Sequence, residues 1–275
     1  MISVNTNMGA MIALQTLNST NAGLHKVQNT ISTGLKVATA RDDGSTFAIA
    51  QNLRGDVAGY SAVGDSLNRG ISSVDVALSA GQSISDLLID MKQKALAASD
   101  ASLDTASRSA LNEDFTALRD QIKTVVQNAV FNGFNLVDGS ATNGISALAS
   151  SDGTRRITVS SQNMNLSGSI VTIKSTGNIS TITNASAMIA TVQASLTKVD
   201  SALAKLSSGA KKFSIQADFV QKLSDTVTNG IGNLVDADMA KQSALLQSLQ
   251  VKQQLGVQAL SIANSSPQIA LSLFR

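Results

Sequence analysis

His25 is the sole imidazole in the 275-residue chain, and its neighbours Leu24, Lys26 and Val27 bring no carboxylate or thiol. Binding a metal or moving a proton requires a second ligand or an acid–base partner, so His25 reads as a polar-face or interface residue. Two acidic pairs are the next candidates: Asp42-Asp43, with Arg41 beside them, and Asp236 with Asp238. Paired carboxylates do acid–base work when their surroundings drive their pKa values apart. Neither pair has a second catalytic group in its neighbourhood, so both read as helix caps and polar contacts. Gly133, Gly139 and Gly144 lack the Lys-Ser/Thr that completes a phosphate loop, and they mark turns. The chain has no cysteine and no His-Glu-x-x-His sequence, which removes disulfides, thiolate metal sites, cysteine nucleophiles and that zinc motif together. No catalytic, cofactor-binding or metal-binding residue is assigned.

The elements around these residues are helical. A single proline and few aromatics, 3% of the chain, leave long helices with a thin aliphatic core. A net charge of +2 with scattered basic residues gives no footprint for nucleic acid. The longest apolar run near the start, Met8 to Leu14, is too short to span a bilayer. The first basic residue is Lys26, so no positive region precedes that run as a secretory signal requires, and any route out of the cell is expected to leave the N-terminus uncleaved.

From Ala185 through Ile189, Val192, Leu196, Val199, Leu203, Leu206, Ala210, Phe213 and Ala217 to Val220, apolar positions alternate steps of four and three. That period specifies a coiled-coil seam, and Ala185 to Ile231 makes a rod of ~70 Å. Gly209 is the expected soft spot. A second seam runs through Ile71, Val74, Leu78, Gly81, Ser85, Leu88, Met91 and Ala95, and a third through Leu111, Phe115, Leu118, Ile122, Val125 and Ala129. Between them, residues 99–104 are rich in N-cap types and turn the chain back. Three such seams close into an antiparallel bundle. Residues 131–184 are dense in Gly, Ser, Thr and Asn. Within them Ile157–Ser160 and Val171–Lys174 alternate with period two, which predicts two short strands of a small hairpin.

The chain ends have a different texture. Val4, Met8, Met11, Leu24, Val27, Ile31 and Leu35 fall at helical spacing near the front. Near the back, Met239, Leu246, Leu249 and Leu260 form one line, and Val251, Leu255, Ile262 and Ile269 another. The polar positions of both stretches are mostly Asn, Gln, Ser and Thr, so ion pairs add little and each helix is marginal alone. Such helices order when another surface covers their apolar stripes. The expected architecture is mainly α: an elongated antiparallel coiled-coil bundle, residues 36–235, whose small outward β region lies in 131–184. The terminal helices, residues 1–35 and 236–275, pair into a coiled coil.

Several stretches resemble the terminal regions of bacterial flagellins. At the front these are Ile31-Ser32-Thr33-Gly34-Leu35-Lys36, Ala40-Arg41-Asp42-Asp43-Gly44, Ala48-Ile49-Ala50, Leu53-Arg54 and Phe131-Asn132-Gly133 with Leu136 and Asp138-Gly139. At the back they are Asp236-Ala237-Asp238-Met239-Ala240, Gln250-Val251-Lys252-Gln253-Gln254, Ala263-Asn264 and Leu271-Ser272-Leu273-Phe274-Arg275. The resemblance implies a non-enzymatic subunit, of a short type without large outer domains, that polymerises into an extracellular filament for swimming. It implies export through the flagellar type III apparatus, an export chaperone on the C-terminal segment, and contact with hook-associated and cap proteins. It also implies O-linked sugars on the Ser/Thr-rich residues 140–183. No cofactor, nucleic acid or membrane partner is implied. The interface candidates are Met8, Met11, Leu24, Val27, Ile31, Leu35, Arg41, Asp42, Asp43 and Arg54, with Asp236, Asp238, Leu246, Leu249, Leu255, Leu260, Ile262, Leu273 and Arg275. Leu88–Leu96 matches the segment that animal innate receptors recognise in many relatives. Asp90 stands where those usually carry arginine, so poor receptor activation is expected. The runner-up readings are a hook–filament junction protein and, further off, a soluble coiled-coil adhesin or binding module.

Overall fold

The computed structural model describes residues 6–272, with side chains up to Ser265. Val4, Leu273 and Arg275 therefore lie outside the described residues, as do the side chain of Ile269 and the end of the Leu271–Arg275 motif. Five helices and four short strands follow in the order α1 (Met8–Thr33), α2 (Gly44–Ala98), α3 (Thr105–Asn128), β1 (Val130–Phe131), β2 (Phe134–Asn135), β3 (Ile145–Leu148), β4 (Arg156–Val159), α4 (Ile182–Val235) and α5 (Met239–Ser272) among these residues. The fold is mainly α with a small β portion, as the seams require. The chain divides into two compact units. One takes in the described residues up to Gly55 and from Thr226 onward, the other Asp56–Asp225. The division falls within the spans of α2 and α4, while the sequence texture changes at 35 and 236.

In the second unit the seams close on one core. Every seventh residue of α4 from Ala185 to Val220 is buried, with Ile189, Leu196, Leu203, Ala210 and Ala217 packed beside that line. On α2 the buried line is Val63, Leu67, Gly70, Val74, Ala77, Gly81, Ile84, Leu88, Met91, Ala95 and Ala98. Ile71, Leu78 and Ser85, expected in the seam, flank it half-buried. The helix meets both α3 and α4, so its covered arc is wider than a two-helix seam. Gly70 lies against Phe213 and Gly81 against Leu203, which sets α2 and α4 antiparallel.

Gly209 is not a soft spot. It is buried inside a continuous α4, and a β-carbon there would come within 2.5 Å of Val159 Cγ1. The missing side chain is the notch that admits β4. Two further corrections concern the loops. Ile157–Val159 is in a strand, but its partner is β3, with Ile145 opposite Val159 and Leu148 opposite Arg156. Val171–Lys174 is not a strand. Val171 and Ile173 are buried and the Thr172 N–H donates to Ser195 Oγ of α4 at 3.1 Å, so the period-two pattern reflects packing on a helix.

The α2–α3 turn forms where the N-cap residues predict it, with Asp104 accepting from the Ser107 N–H at 3.1 Å. The sequence reading missed its centre, Arg108. This buried guanidinium donates to the carbonyls of Ala98 at 2.9 Å, Asp100 at 2.8 Å and Leu103 at 3.2 Å. It satisfies acceptors that the end of a helix leaves without partners.

Candidate functional site

In the first unit α1 and α5 form an antiparallel pair. A half-buried or buried line on α1 runs Ala10, Ala13, Leu17, Thr20, Leu24, Val27 and Ile31. The matching line on α5 is Gln242, Leu246, Leu249, Gln253, Gly256, Leu260 and Ala263. Both repeat with steps of three and four, the mark of knobs-into-holes packing. Leu17 packs on Gly256, Leu249 lies over Gly23, and the Gln253 amide donates to Asn21 Oδ1 at 2.7 Å. Asn7 caps α1 by accepting from the Ala10 N–H at 3.0 Å and donates to the Ala263 carbonyl at 2.6 Å. At the other end of the pair, Leu35 and Asp236 form an antiparallel bridge. There the Lys36 N–H donates to Val235 at 2.7 Å, and the Ala237 N–H donates to Gly34 at 2.9 Å. Gly34, at φ 71°, supplies the left-handed turn that ends α1.

The apolar residues expected at interfaces therefore divide into two groups. Leu24, Val27, Leu246, Leu249 and Leu260 lie on the seam inside the chain, and Ile31 and Leu35 are half-buried near its end. Met8, Met11, Leu255 and Ile262 are 67%, 61%, 58% and 70% exposed, although each is large and apolar. Ile12, Leu14, Val251 and Val257 are exposed with them. Helices this poor in charge normally bury such a stripe; covering one Leu or Ile fully is worth about 1.5–3 kcal/mol.

The acidic candidates are caps and turn closures. Asp43 precedes α2 and accepts from the amides of Ser45 and Thr46, both at 3.1 Å, and from both hydroxyls. The Thr46 hydroxyl and amide, followed by the Ser45 hydroxyl, lower its pKa to about 2. Asp42 is lowered as well, first by the Thr39 N–H and then by the Thr39 hydroxyl, as it closes the turn from Ala38. Asp238 caps α5 through the Lys241 N–H at 3.0 Å. Asp236 is exposed and holds its place through the bridge to Leu35. Arg41 forms no ion pair with Asp42 or Asp43 among the described residues, because amides and hydroxyls already occupy those carboxylates. Among the described residues Arg54 reaches only Gln51, at 3.4 Å. Exposed His25 lines a cleft of about 610 Å³ with Lys26, Lys36, Thr39, Arg41 and Asp42. That lining has cations, threonine hydroxyls and one carboxylate, and among the described residues no hydrogen bond couples His25 to any of them as a nucleophile–base pair requires. No helix of the described residues is long and apolar enough to cross a membrane.

Comparisons with known proteins agree with this geometry. Residues 4–142 match the bacterial flagellin N-terminal helical region, and residues 189–274 match the C-terminal helical region. The chain is 51% identical over 273 residues to flagellin FljK of Caulobacter vibrioides, covering 99% of this chain and 98% of that protein. It is 39% identical to a flagellin of Brucella melitensis, with both chains covered in full. Among solved structures, a putative flagellar hook-associated protein from Vibrio parahaemolyticus superposes with a TM-score of 0.60 at 14% identity, covering 71% of this chain and all of that one. At that identity the likeness is one of fold alone. The near-complete matches favour flagellin over a hook–filament junction protein, and a structural protein over an enzyme. The chain belongs to the bacterial flagellin family.

Proposed function

We infer that the chain is a structural subunit that polymerises into the bacterial flagellar filament, with the solvent-facing apolar stripe of α1 and α5 as its main assembly surface. The observation that carries this reading is the division of α5. One line of residues is already taken up by α1, while Val251, Leu255 and Ile262 face water. A second copy covering that stripe supplies the burial that a lone chain lacks. The exposed polar candidates Arg41, Asp236 and Asp238, with half-buried Arg54, would rim that surface. Leu273 and Arg275 are proposed as interface residues on sequence grounds.

The subunit acts outside the cell, reached by type III export, and the apolar C-terminal segment is the proposed chaperone site before assembly. Hook-associated and cap proteins are the proposed partners at the filament ends. In the Ser/Thr-rich region, Ser169, Thr176 and Thr183 are exposed, and no hydrogen bond from their hydroxyls is recorded among the described residues. They are better acceptors for O-linked sugars than Ser140, Ser150 or Thr154, which bond to aspartates. Asp90 is exposed on α2, and replacing it with arginine is expected to raise the weak activation of a receptor reporter line.

Electron microscopy tests the assignment. The full chain should form long filaments, and a chain ending at Val235 should form none. Filaments from the shortened chain would show that α5 is not the assembly element.

A further inference from the structure

A groove of about 440 Å³ in the second unit runs between α4 and the segment after β4. Its polar walls include Ser160, Gln162, Ser201 and Ser208, and its cations are Lys205 and Lys212. The lining contains no carboxylate, and neither lysine has a hydrogen-bond or ion-pair partner among the described residues. Seven residues apart on one helix, the two ammonium groups are anchored ~10 Å from each other along the axis. The opposite charge lies elsewhere on the same unit. Asp65, Asp75 and Asp86 are exposed on α2, away from its buried line, and none forms an ion pair among the described residues. Arg69 is the single cation between them in sequence.

Resting on the filament-subunit reading, we propose that the Lys205–Lys212 groove docks the acidic face of α2 from a second copy. The two patches are complementary to each other and neither is complementary to itself. Such a contact is heterologous: each copy offers a groove to one neighbour and an acidic face to another, which generates an open polymer and not a closed dimer. Its contribution is to register and to association rate, since exposed charge pairs are individually weak and screened by salt.

Charge reversal in the full chain tests the contact. Lys205→Glu/Lys212→Glu should raise the critical concentration for polymerisation about tenfold, with an unchanged melting curve because both side chains are exposed. Adding Asp75→Lys/Asp86→Lys to the same chain reverses both sides of every contact and should restore assembly. An equimolar mixture of the two singly reversed chains should assemble for the same reason. An unchanged critical concentration in the lysine variant, or no recovery in either combination, would overturn the docking. So would normal assembly accompanied by lost binding of inorganic phosphate, which would give the groove to a small anion. Wild-type filaments are the control: if they fail to form, it is the filament reading that falls.

Discussion

Gly209 of α4 and Val159 of β4 are in such close contact that a β-carbon on the glycine would lie 2.5 Å from one Val159 methyl and 2.8 Å from the other. The hairpin is seated on the helix through this absent side chain. Gly209→Ala gains about 1 kcal/mol of helix propensity but must displace a stiff β-branched residue, an overpacking cost of about 1–3 kcal/mol. The expected net is a destabilisation of about 1–2 kcal/mol in chemical denaturation. Gly64 of α2 has nothing within 4 Å of the same position, and Gly64→Ala should stabilise by about 0.5–1 kcal/mol.

Arg108 holds the α2–α3 turn by three hydrogen bonds to main-chain carbonyls. Arg108→Met keeps much of the buried stem but leaves those acceptors without a cation, at an expected cost of about 3 kcal/mol. Exposed Arg69 offers a control: Arg69→Met should move stability by no more than about 0.5 kcal/mol. Equal melting curves for the two variants would show that the Arg108 contacts are not structural.

Acid should loosen the turns before it affects the apolar seams. Asp43 and Asp152 both have pKa values lowered to about 2. The Thr46 hydroxyl is the leading cause for Asp43 and the Ser150 hydroxyl for Asp152. A depressed carboxylate lends stability that is complete above the ordinary aspartate range and disappears as the proton returns. The contribution is therefore present in full above about pH 4 and lost as the pH falls toward 2. Melting temperatures measured across that window should fall less steeply for Asp43→Asn/Asp152→Asn than for the parent chain. A parallel fall would place the acid sensitivity elsewhere.

The parts of this fold that repeat were legible in the sequence. The α4 line from Ala185 to Val220 needs only a period, and each of its heptad positions is covered as that period requires. What escaped the reading depends on partners far away in the chain. Val171 and Ile173 alternate like a strand, yet they pack on α4, which local pattern alone does not distinguish. Gly209 resembles a helix defect until Val159 is seen against it. Arg108 carries no signal beyond being a basic residue one turn into a helix. At the chain ends the two lines of α5 were visible, but which one faces α1 was not. Both lines are apolar, and only contacts such as Gly23 to Leu249 and Gly256 to Leu17 settle it.

The central claim is that Leu255 and Ile262, which face water in the single chain, face another copy in the filament. Leu255→Asp/Ile262→Asp should leave the melting curve of the full chain unchanged, because both side chains are already solvated. Sedimentation and electron microscopy of the same sample should then find no filaments at concentrations where the parent chain polymerises. Filaments of normal length and yield from the double aspartate chain would contradict the account.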